Sequence, residues 1–375
     1  MTRMGMTAAF TIVAVASGLV AAGTLLLSST EGIGASAVIR AVLAGAAAGM
    51  VGLFVLEATT DVEFFGIVHL GYLGATVSIP MVGVAVLARS HGRPHGRWVL
   101  PFGAALLVPA LVGLYATHIE PYRLREQRVV VSVDAARTGH DHIRIAVLAD
   151  LQMTHVGSFE RKAIDRLLAT KPDVILVAGD LFQSPEPAFL HWLPKVQALL
   201  GKLRAPGGVF VVQGDVDGFD RANRIFAHNP DAHVLDDELV RVEVRDRVLR
   251  IAGTRLTYDS RAADTVRRRL DAMPEDGSIR ILLSHRPDTV SSLPPSSRVD
   301  LTVAGHTHGG QVVLPGFGPL MTLTAVPRAV AAGGLHTLDG NRIYVSPGVG
   351  VERLQAPQIR FADRPTIGVV DLADR

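Results

Sequence analysis

The sequence predicts an α/β domain preceded by an all-α transmembrane domain of about four helices. Three observations predict it. Hydrophobic residues make up 48% of the 375, and the apolar excess sits at the front of the chain. Four long, almost uncharged runs fill that front part. Beyond them, short apolar runs of strand length alternate with amphipathic segments, the order expected of an α/β domain. Two domains are the default at this length. The boundaries fall at residues 1–120 for the transmembrane helices, 121–141 for a juxtamembrane linker and first strand, and 142–375 for the α/β domain.

The apolar runs are Ala8–Leu27, Ala37–Leu56, Phe64–Ala88 and Trp98–Thr117. Each is close to the roughly 20 residues a helix needs to cross a bilayer. A cleaved signal peptide accounts for the first alone, and four in succession are not the pattern of buried soluble helices. The partner they imply is the lipid bilayer, and the location a cell membrane crossed several times. Gly45 and Gly49 form a small-xxx-small face that suits close helix packing in lipid, or simply belong to an alanine- and glycine-rich span. An even number of spans puts the N-terminus and the C-terminal domain on the same side. Arg89, Arg93 and Arg97 draw the loop before the fourth span toward the cytoplasm, whereas Arg3, Arg123, Arg125 and Arg128 draw the opposite side there. The two sets balance, so the side of the C-terminal domain stays open.

Beyond Arg128 the chain holds 29 basic and 29 acidic residues, and its overall net charge is only +2. A nucleic-acid footprint needs a clustered basic excess, so none is indicated. With no cysteine, disulfides, iron–sulfur clusters and thiolate zinc sites are excluded. Any metal must be held by His, Asp, Glu, Asn, Gln or backbone oxygen.

The elements of the second domain follow in order. Ile143–Ala149 is a buried-strand run ending at Asp150. A helical pattern over Phe159–Ala169 places Ile164, Leu167 and Leu168 on one face, with Ser158 as its N-cap. Strand Asp173–Ala178 ends at Gly179-Asp180. Amphipathic Phe189–Leu203 leads to strand Val209–Val212, which ends at Gly214-Asp215-Val216-Asp217. Leu239–Val244 and Val248–Ala252 read as a hairpin through Asp246. Helix Ala262–Leu270 precedes strand Arg280–Leu283, which ends at Ser284-His285. Strand Asp300–Ala304 ends at Gly305-His306-Thr307-His308, and Arg342–Val345 and Thr366–Asp371 add further strand.

Five strands thus end in Asp150, Asp180, Asp215, His285 and the His306/His308 pair. A strand-terminal Asp by itself is commonly a turn former and a lone His commonly has no special role. Five such endings at the C-terminal edge of an α/β domain, where ligands bind, point to a dinuclear metal site with bridging carboxylates and terminal imidazoles. Two ions about 3.5–4 Å apart lower the pKa of a water between them and clamp the oxygens of a phosphoryl group in in-line displacement.

The order and spacing of these blocks resemble the calcineurin-like metallophosphoesterase family, whose pattern is Asp-x-His, Gly-Asp, Gly-Asn-His-Asp, a lone His and Gly-His-x-His. The last block, extended by Gly309-Gly310-Gln311, and the ending Val345-Ser346-Pro347-Gly348-Val349-Gly350 with Ile359-Arg360-Phe361 look like the bacterial membrane-associated branch that includes lipid-precursor pyrophosphatases. The resemblance implies a four-layer sandwich of two β-sheets flanked by helices. Carried over by position, Asp150, Gln152, Asp180 and His308 surround a first metal, Asp180 bridges, and Asp215, His285 and His306 complete the second. Asp180 and Asp217 are the catalytic carboxylates on this reading.

Three positions depart from that pattern. Gln152 stands where the family usually has His; a carboxamide oxygen is a harder ligand and shifts the preference toward Mn²⁺ or Mg²⁺, with Fe or Zn²⁺ still open. His155 is an alternative ligand or a solvated loop residue. Asp215 replaces Asn, which keeps an oxygen ligand and adds a charge. Val216 replaces the histidine that contacts phosphate and protonates the leaving group, a contribution of about 10²–10⁴-fold. Asp217, Arg221, Arg224 or Arg286 can compensate by binding phosphate, or the arginines are solvated surface charges. The expected function is a membrane-anchored dinuclear-metal hydrolase of phosphodiester or diphosphate bonds, acting through metal-activated water on a phosphorylated small-molecule, nucleotide or lipid-linked substrate. The alternative is a metal- or phosphate-binding regulatory domain that has lost turnover.

Overall fold

The protein is described by a computed structural model covering residues 3–28, 34–91, 95–133 and 139–374. Arg93 and part of the 121–141 linker lie outside these residues. The chain forms two compact units, Met1–Ile119 with Glu352–Gln358, and Glu120–Val351 with Ile359–Arg375.

The first unit is helical: α1 (Arg3–Leu26), α2 (Ala35–Thr59), α3 (Phe64–Leu73), α4 (Ile79–Ser90), α5 (Val99–Ala105) and α6 (Val108–His118). They make four stretches long and apolar enough to cross a membrane, Gly5–Leu26, Ser36–Thr59, Phe64–Ser90 and Val99–Tyr122. The third and fourth runs are not the uninterrupted helices their hydropathy suggests. A π turn over Gly74–Ser78 joins α3 to α4, with the Ile79 amide bonded to the Gly74 carbonyl five residues back. Pro80 follows it and has no N–H to give to Thr76, so the α ladder cannot run through regularly. Pro109, in the first turn of α6, separates that helix from α5 in the same way.

Close approach between α1 and α2 depends on glycine. A Cβ on Gly45 would lie 2.8 Å from the Ala21 Cβ, and one on Gly52 would lie 2.7 Å from Val13. Gly49 faces the Ser17 hydroxyl between them, so the small-xxx-small face is the packing face. Arg89, counted from sequence as an orientation signal, donates to the carbonyls of Leu26 at 2.8 Å and Ser28 at 2.5 Å. It places a cation at the C-terminal end of α1, where the helix dipole favours one.

The second unit contains two six-stranded sheets. Its strands begin with β1 (Arg125–Val133), β2 (Ile143–Leu148), β3 (Val174–Val177), β4 (Val209–Val211) and β5 (Ala232–Val234). They continue with β6 (Glu238–Val244), β7 (Arg247–Gly253), β8 (Ile279–Leu283) and β9 (Leu301–Ala304), a short hairpin β10 (Val313–Leu314) and β11 (Gly318–Pro319), then β12 (Gly334–Leu338), β13 (Asn341–Val345) and β14 (Thr366–Asp374). The first sheet has the order β1-β14-β2-β3-β4-β5 and the second β12-β13-β9-β8-β7-β6. The last strand therefore returns to the first sheet, antiparallel to β2 and parallel to β1.

Strand alternation explains the layers. Ile143, Ile145 and Val147 of β2 join Ile279, Ile281 and Leu283 of β8 in one core between the sheets. Ala146 and Leu148 point the other way, onto α7 (Ser158–Ala169), α8 (Glu186–Leu200) and α9 (Gly218–Phe226). Leu282 and Ile343 face α10 (Arg261–Asp271) and α11 (Arg328–Ala331) in the same manner. Period-two side chains with both faces covered give helix, sheet, sheet, helix, which is the expected four-layer sandwich. One cap differs from expectation. Ser158 is the first residue of α7, and Gly157 is its N-cap. Glu160 closes the end instead, accepting the Gly157 amide at 2.9 Å, the returning half of a capping box.

Replacing Gly45 with Leu should separate α1 from α2 and cost about 1–3 kcal/mol, the usual penalty of overpacking. Gly71→Ala, where a Cβ meets nothing within 4 Å, should leave thermal unfolding in detergent unchanged or slightly raised. Circular dichroism melting of both variants checks the contrast.

Candidate metal centre

Strands β2, β3 and β4 run parallel, as do β8 and β9, so the loops that follow them gather at the strand ends. Asp150 follows β2, Asp180 follows β3, Asp215 follows β4, His285 follows β8, and His306 and His308 follow β9. Six of the expected ligands come together there as two groups. In Asp150, Asp180 and His308, and separately in Asp215, His285 and His306, one potential ligand atom per residue lies within 4.8 Å of the others. The groups meet at Asp180, whose Oδ2 is 3.5 Å from Nε2 of His285.

The backbone is bent to achieve this. Asp150, Gln152, Asp180, His306 and His308 all have positive φ, between 38° and 73°. Left-handed backbone is rare away from glycine, and its cost of order 1–3 kcal/mol concentrates at functional sites. Glycines make the crossings possible. Gly179 has φ +82°, and a Cβ there would lie 2.6 Å from the Gly214 amide. A Cβ on Gly214 would lie 2.1 Å from Oδ1 of Asp180.

Hydrogen bonds fix the imidazoles. Nδ1 of His285 lies 2.6 Å from the Ala178 carbonyl, which only accepts, so Nδ1 carries the proton and donates. Nε2 is buried and faces the carboxylates, 3.1 Å from Asp215 and 3.5 Å from Asp180. His306 donates from Nε2 to the Leu323 carbonyl at 3.3 Å and holds Nδ1 2.8 Å from Asp215. Orienting one ring nitrogen so that the other faces the carboxylates is how proteins prepare a metal-binding histidine. The donor set is all oxygen and imidazole nitrogen, which fits divalent first-row ions and magnesium.

Electrostatics point the same way. Burial pushes the Asp150 carboxyl up to about 8 against the pull of the His285 charge. Burial also acts upward on Asp180, but the His285 charge and hydrogen bond outweigh it and bring this carboxyl down to about 2. Asp215 is held well below the usual range: His285, His306 and Arg286 together overcome its desolvation. Burial alone would lower His285, but the carboxylates of Asp180, Asp215 and Asp150 raise it well above its ordinary value. Burial, helped by the Arg360 charge, lowers His308 to about 3, so it is the neutral imidazole a metal requires.

The remaining expected residues divide. Gln152 is fully buried and donates its carboxamide to Oδ2 of Asp180 at 3.3 Å. Turning that amide over presents its oxygen at the same place. Asp217 is buried, with one oxygen taken by the Leu181 amide at 2.8 Å and the other by the Gly214 amide at 2.7 Å. It ties the Asp180 loop to the Asp215 loop. The Val216 amide donates to Oδ1 of Asp180 at 2.9 Å. Arg286 reaches Oδ1 of Asp215 at 2.5 Å. Arg221 and Arg224 are not brought to the cluster: both pair with Glu186 at 2.7 Å and lie over the Phe189 ring. His155 is exposed, its ring beside Trp192.

Arg360 belongs to the Ile359-Arg360-Phe361 segment near the C-terminus. Its fully buried guanidinium bonds the carbonyls of Pro347 at 2.7 Å and Gly350 at 2.7 Å and the Asp363 carboxylate at 2.7 Å. The loop it holds lies on the first group, because a Cβ on Gly348 would be 2.7 Å from the Asp150 Cβ. An arginine so close to an apolar strand carries no sequence signal of burial.

Residues 143–310 match the family model described as calcineurin-like phosphoesterase. The chain is 27% identical over 273 residues to the uncharacterized metallophosphoesterase YkuE of Bacillus subtilis, covering 69% of this chain and 88% of that one. It is 24% identical over 319 residues to the UDP-2,3-diacylglucosamine pyrophosphatase LpxG of Chlamydia trachomatis, covering 70% and 93%. A dimetal phosphatase structure from Danio rerio is 13% identical over 55% of this chain and 88% of that one, with a TM-score of 0.34. The C-terminal unit is thus similar, over residues 143–310, to the calcineurin-like phosphoesterase family and to metallophosphoesterases, and helices long and apolar enough to span a membrane precede it in the chain.

Proposed function

We propose that this protein is a membrane-anchored, multi-pass, two-metal hydrolase that cleaves diphosphate or phosphodiester bonds, with lipid-linked or nucleotide diphosphates as its substrate class. The observation that carries the reading is the pair of ligand groups meeting at Asp180, 3.5 Å from His285. Asp150, Gln152, Asp180 and His308 would hold one ion, and Asp180, Asp215, His285 and His306 the other, with Mn²⁺ the favoured metal. Two divalent ions in such a site supply an activated water and neutralise phosphoryl oxygens.

The protein's own groups then choose the leaving group. The segment after Asp215 presents the aliphatic Val216, whose amide is spent on Asp180, so it offers no proton donor. Asp217 has both oxygens on backbone amides, and we assign it to holding the two loops. A leaving group that departs without protonation suits such a site, and a phosphate within a diphosphate is one. Arg286, partly exposed beside Asp215, is the arginine placed to meet a phosphate oxygen. The relative named for UDP-2,3-diacylglucosamine pyrophosphatase activity supports the same class of bond and a lipid-bearing substrate.

Assays of the full chain with Mn²⁺ should show turnover of a nucleotide diphosphate ester, or of a phosphodiester whose leaving group departs without protonation, such as an aryl ester. An alkyl phosphate monoester should be slower by about 10²-fold or more, the share of a missing general acid. Asp180→Asn should abolish both. No turnover above that variant, with metal still bound, would favour the regulatory reading; comparable rates on the monoester would sink the leaving-group argument.

Metal binding should strengthen with pH. Coordination needs an ionised Asp150, raised to about 8, and a neutral His285, also raised, so binding expels protons. The sign for stability is the same for both groups. Each binds its proton more tightly folded than unfolded, so the metal-free protein loses stability as pH rises through those values. The thermal shift produced by Mn²⁺ should therefore be larger at about pH 8.5 than at about pH 6. Scanning calorimetry with and without the ion tests this, and a shift that shrinks with pH contradicts it.

A further inference from the structure

Between Asp300 and Asp339 the only Lys, Arg, Asp or Glu is Arg328, although the rest of the unit is dense in charge. This stretch leaves the metal loop and runs out into the β10–β11 hairpin. Four large apolar side chains stand exposed there: Leu314 by 38%, Phe317 by 58%, Leu320 by 49% and Leu323 by 58%. Apolar residues scattered singly on a surface need no explanation, but a contiguous group marks an interaction site.

The local chemistry identifies the partner. The Arg328 guanidinium lies over the Phe317 ring, 4.6 Å from its centre. An aromatic and leucines beside a cation, with no carboxylate nearby in sequence, suit the boundary between acyl chains and anionic headgroups. The chain itself carries four stretches able to cross a bilayer, so a lipid surface is the partner already required.

The hairpin is also fastened to the candidate centre. Leu323 has φ 50°, and its carbonyl accepts from His306. The Thr324 hydroxyl and the Ala325 amide both bond to the Asp288 carboxylate at 2.6 Å, two residues beyond Arg286. The root of the hairpin is thus tied to the loops of both His306 and His285.

We propose that the segment Val312–Val326 inserts its apolar side chains into the bilayer–water interface and holds the rim of the second ligand group at the lipid surface. This goes beyond the hydrolase reading and needs no turnover to be tested. The chain has no cysteine, so Phe317→Cys, Leu320→Cys and Glu243→Cys can each carry one environment-sensitive fluorophore in the full-length protein. Glu243 is exposed on β6, at the edge of the sheet opposite β12. In vesicles of phosphatidylcholine and phosphatidylglycerol, the labels at 317 and 320 should be blue-shifted and quenched by lipids bearing a nitroxide near the top of the acyl chain. The label at 243 should not, and Arg328→Glu should weaken the quenching at 320. Unfolding curves show that each variant is folded, without reference to metal or activity. Equal quenching at all three positions overturns the proposal, and so does a blue shift without lipid quenching, the signature of a protein partner.

Discussion

The structure around the strand ends is governed by the difficulty of burying several carboxylates together. Asp150, Asp180 and Asp217 are each almost wholly removed from water, while Asp215 stands exposed at their edge. An unpaired buried charge costs several kcal/mol even after relaxation. In the protein by itself the charge is divided by protonation: His285 is raised, Asp150 is raised, and Asp180 and Asp215 stay ionised against them. Divalent cations remove the same conflict by coordination. The left-handed residues, the glycines without room for a Cβ and the amides spent on Asp180 and Asp217 are the local means by which these groups are brought together at the strand ends.

Much of this was legible in the chain. The strands on either side of the candidate centre came out within a residue of their observed limits, because short apolar runs bounded by Gly and Asp leave few alternatives. Thr366–Asp371 stops three residues short of β14, and β5, β10, β11 and β12, short or polar in pattern, give no strand signal in the sequence. The candidate ligand positions were legible because each lies directly after such a run. What stayed hidden depends on partners distant in sequence. Arg221 and Arg224 look like phosphate-binding residues beside a loop of aspartates, but Glu186 and Phe189 on another helix take them. Arg360 reads as one more surface arginine until the Pro347–Gly350 carbonyls close around it. Asp217 reads in sequence as one more carboxylate of the cluster, and its two bonds to backbone amides, one of them from the loop after β3, appear only in the fold. The π turn is hidden for another reason: hydropathy is blind to a single ladder bond lost before Pro80.

The two departures after β4 make sense together. Asp215 adds a negative charge to the second ligand group, and an anionic substrate would be repelled by it. Arg286 answers at one oxygen of Asp215 at 2.5 Å while the other faces His306 at 2.8 Å. The pair presents the ligand group with one carboxylate oxygen and the solvent with a guanidinium. A neutral amide at 215 would leave that guanidinium without a carboxylate to hold it. The aliphatic Val216 sets the complementary limit on the proposed reading, because a site without a proton donor there would stabilise charge on phosphate oxygens but would not neutralise an alkoxide as it leaves. Charge stabilisation without proton donation is sufficient for a diphosphate, whose leaving group is itself a stable anion. On the proposed hydrolase reading, the residues at 215, 216 and 286 answer one demand together: a leaving group that departs without protonation, as a phosphate does from a diphosphate.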